Sequence, residues 1–185
     1  MEQRLKGAAE FGIPPERLDD VMTWATDAFS KEFGWPDSFY TLPAARDARA
    51  RFVPETHDVV IFGLGLHETD AGAFIEAAKP PPQKPGCAQQ GPTGVFECIR
   101  SGERLVEGGD IAGFELLATY FGGLTCSWLC NGLERDCAGK LGVIPNNRGL
   151  IASYEDAKLC AEYSSQPEVG AEPGLWQPWL VVVYD

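Results

Sequence analysis

The stretch Trp176-Gln-Pro-Trp-Leu-Val-Val-Val-Tyr184 decides the class of fold. Its β-branched and aromatic residues read as a strand. Pro178 cannot donate a ladder hydrogen bond, so it must lie at the beginning of that strand or on an edge. Working back from it, Val59-Val-Ile-Phe-Gly-Leu-Gly-Leu66 is a second, continuous apolar run, expected as a central strand covered on both faces. Between and before these runs come helical patterns. Leu18, Val21, Met22, Ala25, Ala28 and Phe29 recur at helical spacing after Pro14-Pro15, which predicts a helix over about 15–33 with Gly34 as its stop. Residues 35–51 read as irregular or weakly helical linkage. Thr69 or Asp70 can cap a short helix reaching Lys79. Ser127–Leu141 reads as a helix closed by Gly142, and Ser153-Tyr-Glu-Asp156 opens another, with a capping-box-like pattern, running to about Tyr163. Residues 94–99 and 104–106 flank Ser101-Gly102 and read as a β-hairpin. Phe114–Phe121 fits either period.

Strands and helices are interspersed without a regular βαβ repeat. The expected fold is therefore α+β: one domain spanning 1–185, with a mainly antiparallel sheet and helices packed on one face. At 185 residues, 44% hydrophobic and 23% charged, the chain is long and apolar enough to bury one core. Residues 79–94 carry Pro80, Pro81, Pro82, Pro85 and Pro92 among glycines, which predicts a surface loop. No apolar run approaches the ~20 residues of a membrane-spanning helix. The charged start Met1-Glu-Gln-Arg-Leu-Lys6 lacks the apolar stretch of a signal peptide, so a cytoplasmic location is expected.

The formal net charge is −12. Such a field repels nucleic-acid phosphates and anionic membranes and favours cationic partners. The acids Glu155, Asp156, Glu162, Glu168, Glu172 and Asp185 stand against Lys158 alone in the last stretch, 149–185, interleaved with Trp176 and Trp179. Aromatic residues ringed by charge suit a protein interface, although two tryptophans between prolines equally suit a core.

Motifs that could carry chemistry are incomplete. Gly63-Leu-Gly65 follows a strand, but Glu68 stands where a dinucleotide fingerprint needs its third glycine, and the pair suits close packing instead. Cys126, Cys130 and Cys137 lack a nearby fourth ligand, since His57 and His67 lie far off in sequence. No metal and no cofactor is expected. The six cysteines read mainly as small core residues, Cys130 among them. The enzymatic alternative would use Cys130 as nucleophile with His67 as base, oriented by Glu68, Asp70 or Asn131. His67-Glu68-x-Asp70 sits at a strand end, where it could bind a ligand or merely cap a helix.

Three segments resemble a known family: Phe114-Glu-Leu-Leu117 with Cys126-Ser-Trp-Leu-Cys-Asn-Gly-Leu-Glu134, Gly149-Leu-Ile-Ala-Ser-Tyr-Glu-Asp-Ala157, and Glu172-Pro-Gly-Leu-Trp-Gln-Pro-Trp-Leu180. Together they resemble the small acidic immunity proteins of bacterial polymorphic-toxin and type VI secretion systems. The likeness covers roughly the C-terminal half. It implies a protein that neutralises a cognate toxin by tight binding, often by plugging its active site. Such proteins share no fixed catalytic residues, so none is carried over. The expected partner is a basic toxin, met by Glu155, Asp156, Glu162, Glu168, Glu172, Trp176 and Trp179.

Overall fold

The computed structural model describes residues 18–28, 33–34, 38–56, 58–78, 94–120 and 123–184. Helix α1 (Leu18–Ala28) leads through a small ladder, β1 (Phe33–Gly34) with β2 (Ser38–Phe39), into α2 (Leu42–Phe52). Then follow β3 (Ile61–Leu66), α3 (Glu68–Ala77), α4 (Gly94–Ser101), β4 (Asp110–Tyr120) and β5 (Gly123–Ser127). A 3-10 turn (Trp128–Asn131), α5 (Leu133–Leu141), α6 (Tyr154–Ser164), a second 3-10 turn (Pro167–Val169) and β6 (Leu175–Tyr184) complete the order. The class is α+β, a single domain.

The last strand holds the sheet together. The four-stranded order is β3-β6-β4-β5, and every pairing is antiparallel. β6 pairs with β3 only from Trp179 onward (Leu66↔Trp179), whereas its ladder to β4 continues to Leu175 (Thr119↔Leu175). Pro178 therefore falls where β6 has a strand on one side only, and its missing N–H costs no second ladder. The register of β6 also separates the two tryptophans. Ala118↔Trp176 and Leu116↔Pro178 share one face, while Leu117↔Gln177 and Glu115↔Trp179 share the other.

Both faces are covered. On the first, Leu116, Ala118 and Trp176 pack with Leu133 and Cys137 of α5, with Ala157, Cys160 and Ala161 of α6, and with Trp128 and Ile151. The small residues along the inner side of α6 let that helix lie close to the sheet. On the second face, Leu64, Leu66, Leu117 and Trp179 pack with Phe74, Ile75 and Ala78 of the α3 region and with Val95, Phe96 and Ile99 of α4. Phe74 meets Trp179 edge-on, with ring centroids 5.2 Å apart at 83°. To the helices expected on one face the structure thus adds a second pair on the other.

Several local readings change. Residues 94–101 form a helix, not one arm of a hairpin. Val95, Phe96 and Ile99 turn one apolar stripe to the sheet, and Arg100 Nε donates to Glu97 at 2.8 Å on the exposed side. β3 is an edge strand of the four, not a central one. The 42–52 segment is a regular helix, because Thr41 caps it, Pro43 suits its first turn, and Ala48 and Phe52 are buried. The helix expected over 15–33 is described for 18–28; Phe33–Gly34 is strand, and the remaining ends and the 79–93 part of the expected loop lie outside the described residues. The helix expected over 127–141 is broken by Gly132, whose φ of 67° ends the 3-10 turn before α5 starts. Gly63 and Gly65 serve packing: a Cβ at Gly65 would lie 2.6 Å from Leu105 Cδ1, and one at Gly63 would lie 2.9 Å from Leu105 Cδ2.

Candidate partner-binding surface

The surface is built on α6. Ser153 starts the helix by accepting from the Asp156 N–H at 3.1 Å and donating to Asp156 Oδ2 at 2.8 Å. Glu155 and Asp156 in the first turn favour the positive end of the helix dipole. With Ala157, Cys160, Ala161 and Ser164 facing inward, the outer side carries Glu155, Asp156, Leu159 and Glu162, all exposed. Leu159, 44% exposed, lies four residues after Glu155 and three before Glu162, so one apolar side chain stands among acids. Glu168 and Glu172 follow on the exposed segment leading to β6.

The one base of this stretch does not neutralise that face. Lys158 turns to the first turn of α3 and donates from Nζ to Asp70 Oδ1 at 2.9 Å. Asp70 is 5% exposed, and its other carboxylate oxygen accepts from Tyr154 OH at 2.8 Å. Its backbone carbonyl accepts from Gln177 Nε2 at 2.9 Å. The hydrogen bond to Asp70 raises the Lys158 ammonium above its ordinary pKa against a lowering by burial, so Lys158 stays a charged donor. Burial is the first cause raising the Tyr154 phenol, and its bond to Asp70 adds to the rise, so Tyr154 stays a donor.

The strand-end motif His67-Glu68-x-Asp70 is thus a joint. His67, not Thr69 or Asp70, caps α3: its Nδ1 accepts from the Thr69 N–H at 3.3 Å and pairs with Thr69 Oγ1 at 2.9 Å. The His67 ring stacks on Tyr154, centroids 4.5 Å apart, and Thr69 Oγ1 lies 3.2 Å from Tyr154 OH. Phe114 packs on the Tyr154 ring at 5.9 Å. Both Asp70 oxygens are occupied, and the chemistry of the cluster is to hold the first turns of α6 against β3 and α3.

Two expected interface residues are not on the surface. Trp176 is 4% exposed and Trp179 is 0% exposed. The sheet is covered on both faces, so alternation along β6 leaves neither indole a way out. Trp176 Nε1 donates to the Glu172 carbonyl at 3.1 Å, which fastens the acidic segment to β6. The exposed apolar residue among the acids is Leu159 instead; its sequence signal is an apolar side chain on the acidic side of a helix. The tie from Asp70 to Tyr154 and Lys158 joins residues 84 and 88 positions apart, and no short motif announces it.

The cysteines divide. Cys130, expected buried, is exposed, because the 3-10 turn buries Trp128 and turns Leu129 and Cys130 outward. No hydrogen bond joins Cys130 to His67, whose Nδ1 is taken by Thr69. Cys137 and Cys160 are free, buried thiols facing each other across α5 and α6, and the contact, with burial, pushes Cys160 far up. Burial also pushes the half-buried Cys98 thiol up. Among the described residues no group of three His, Cys, Asp or Glu side chains could hold a metal ion, and no helix is long and apolar enough to cross a membrane.

Comparisons with family models, with curated proteins and with solved structures find no match for this chain.

Proposed function

We propose that this chain is a bacterial immunity protein that works in the cytoplasm and neutralises a cognate basic toxin by occluding its active site. The outer face of α6 meets the toxin, and the exposed segment carrying Glu168 and Glu172 extends the contact. The observation that carries the reading is the acidic face itself: Glu155, Asp156 and Glu162 ring the exposed Leu159, while Lys158, the base of the same helix, is drawn away to Asp70. Acidic side chains take the place of an anionic substrate in a basic cleft, and the leucine supplies a desolvated contact at the centre. The joint at Asp70 prepays part of the ordering cost by fixing the helix before binding. The net charge of −12 speeds encounter with a basic partner.

A survival assay tests this. Cells producing the toxin encoded beside this gene should grow only when this chain is co-produced. The triple reversal Glu155→Lys, Asp156→Lys, Glu162→Lys should remain folded and lose protection. Full protection by the folded triple variant would remove the surface from the account, and a neighbouring gene product that is neither toxic nor bound would remove the function.

A further inference from the structure

On its outer side β3 has no strand beside it among the described residues. It pairs with β6 alone, in an unbroken register from Ile61↔Tyr184 to Leu66↔Trp179. In an antiparallel ladder every second residue turns its N–H and C=O to the far side. Among the described residues no hydrogen bond reaches those outward groups of Ile61–Leu66; Arg49 of α2 donates to the Val59 carbonyl at 3.3 Å, which lies before the strand. From Val59 to Leu66 the sequence holds no charge and no proline, and no bulge twists β3 away. Charges, prolines and bulges are the devices that guard a free edge against pairing, and this edge carries none of them.

The side chains point the same way. Helices α3 and α4 cover Leu64 and Leu66 on one face, and Leu105 lies against Gly63 and Gly65 on the other. Phe62 stands on the face of Leu64 and is 61% exposed, and Val60 before the strand is 53% exposed. The apolar surface beside this edge therefore ends in an uncovered ring. With no charge on the strand, nothing here complements a basic partner. An uncharged apolar strand does fit, and β3 is one. A two-fold axis normal to the sheet sets two copies of β3 antiparallel, as every strand pair in this sheet already is, and keeps like faces together. Even-numbered residues then meet even-numbered ones, so each Phe62 falls against Phe62, Leu64 or Leu66 of the second copy.

We infer that β3 is a docking edge for a second copy of this chain, which joins two four-stranded sheets strand to strand. The contact is small. An edge of 6 residues buries less than the roughly 1,200 Å² of a stable interface, so the dimer forms only at concentrations on the order of 10–100 µM. Each copy carries a net charge of −12, and bringing two together is opposed by like-charge repulsion. Salt screens that repulsion and strengthens this contact, whereas it weakens the encounter of the acidic α6 face with a basic toxin. The inference does not rest on the proposed function.

The test uses the free chain alone, in analytical ultracentrifugation and amide hydrogen exchange. It should sediment as a monomer at about 1 µM and mainly as a dimer at about 500 µM, with more dimer at about 500 mM salt than at about 50 mM. Over the same rise in concentration, exchange should slow at the outward-facing amides of β3, a measurement that needs no variant. Phe62→Lys places a charge on the edge at an exposed position; it should keep the far-ultraviolet circular dichroism of the fold and weaken the dimer at least about tenfold. The same variant should still protect cells in the survival assay, which separates this edge from the α6 surface. A monomer at every concentration, a dimer without slowed exchange in β3, or a dimer that salt dissolves overturns the pairing. Slowed exchange in β3 brought by the toxin and not by concentration also overturns it, and assigns the edge to the toxin.

Discussion

β6 and the outer side of α6 lie close together in sequence and do opposite things with similar residues. β6 turns Trp176 into one core layer and Trp179 into the other, so its aromatic surface is spent on holding helices to both faces of the sheet. α6 turns mainly small residues inward, with Tyr163 the one large side chain among them, and keeps Glu155, Asp156, Glu162 and Leu159 outside. The mixture of aromatics and acids over 149–185 is therefore two signals superposed. One specifies a strand at the centre of the fold, and the other a charged face attached to it. What separates them is periodicity: alternation along β6 has no exposed side to offer, whereas a helix lying on a sheet always has one.

This division can be broken from the inside first. Trp179→Ala removes a fully buried indole from between Phe74 and the sheet and should cost about 3–5 kcal/mol, measured by chemical denaturation. A loss below ~1 kcal/mol would mean that Trp179 is not core. Next comes the joint between the two regions. Lys158→Met keeps the aliphatic stem but leaves the Asp70 carboxylate without its cation. Because Lys158 is 38% exposed and Tyr154 still donates to Asp70, the expected cost is about 2 kcal/mol, under the ~3–5 of a fully buried pair. Adding Asp70→Asn to that variant should recover part of the loss, since no unpaired charge then stays buried. Ser153→Ala removes the α6 cap and should cost ~1 kcal/mol. Smallest is the outer face, where Leu159→Ala should move stability by no more than ~0.5 kcal/mol and appear only in binding.

Much of the fold was legible because strong periodic segments carry their own signal. The C-terminal strand, the Ser153 start of α6 and the antiparallel α+β class could be read from local pattern. Residues 94–101 misled because Val95, Phe96, Cys98 and Ile99 satisfy a strand period and a helix period about equally, and only the apolar side of the sheet chooses between them. β3 reads as central because both its faces are apolar, but it pairs with β6 alone: helices cover Leu64 and Leu66 on one side, Leu105 lies against Gly63 and Gly65 on the other, and Phe62 stays exposed. At the candidate surface the five glutamate and aspartate positions were visible as charge. The roles of Leu159, Lys158 and Trp176 were not, because each depends on which side of an element faces the sheet. The Asp70 joint depends on contacts across more than eighty residues, which no local motif encodes.

The proposed partner surface is tested most directly by the rate of association between this chain and the toxin proposed as its partner, followed by stopped flow at low and high salt. The Glu155→Lys, Asp156→Lys, Glu162→Lys variant should associate at least about tenfold more slowly at about 50 mM salt, and the gap should narrow at about 500 mM as screening shortens the reach of the charges. Leu159→Ala should instead associate normally and dissociate faster. If the folded triple variant associates at the wild-type rate at both salt concentrations, the outer face of α6 is not where the partner lands.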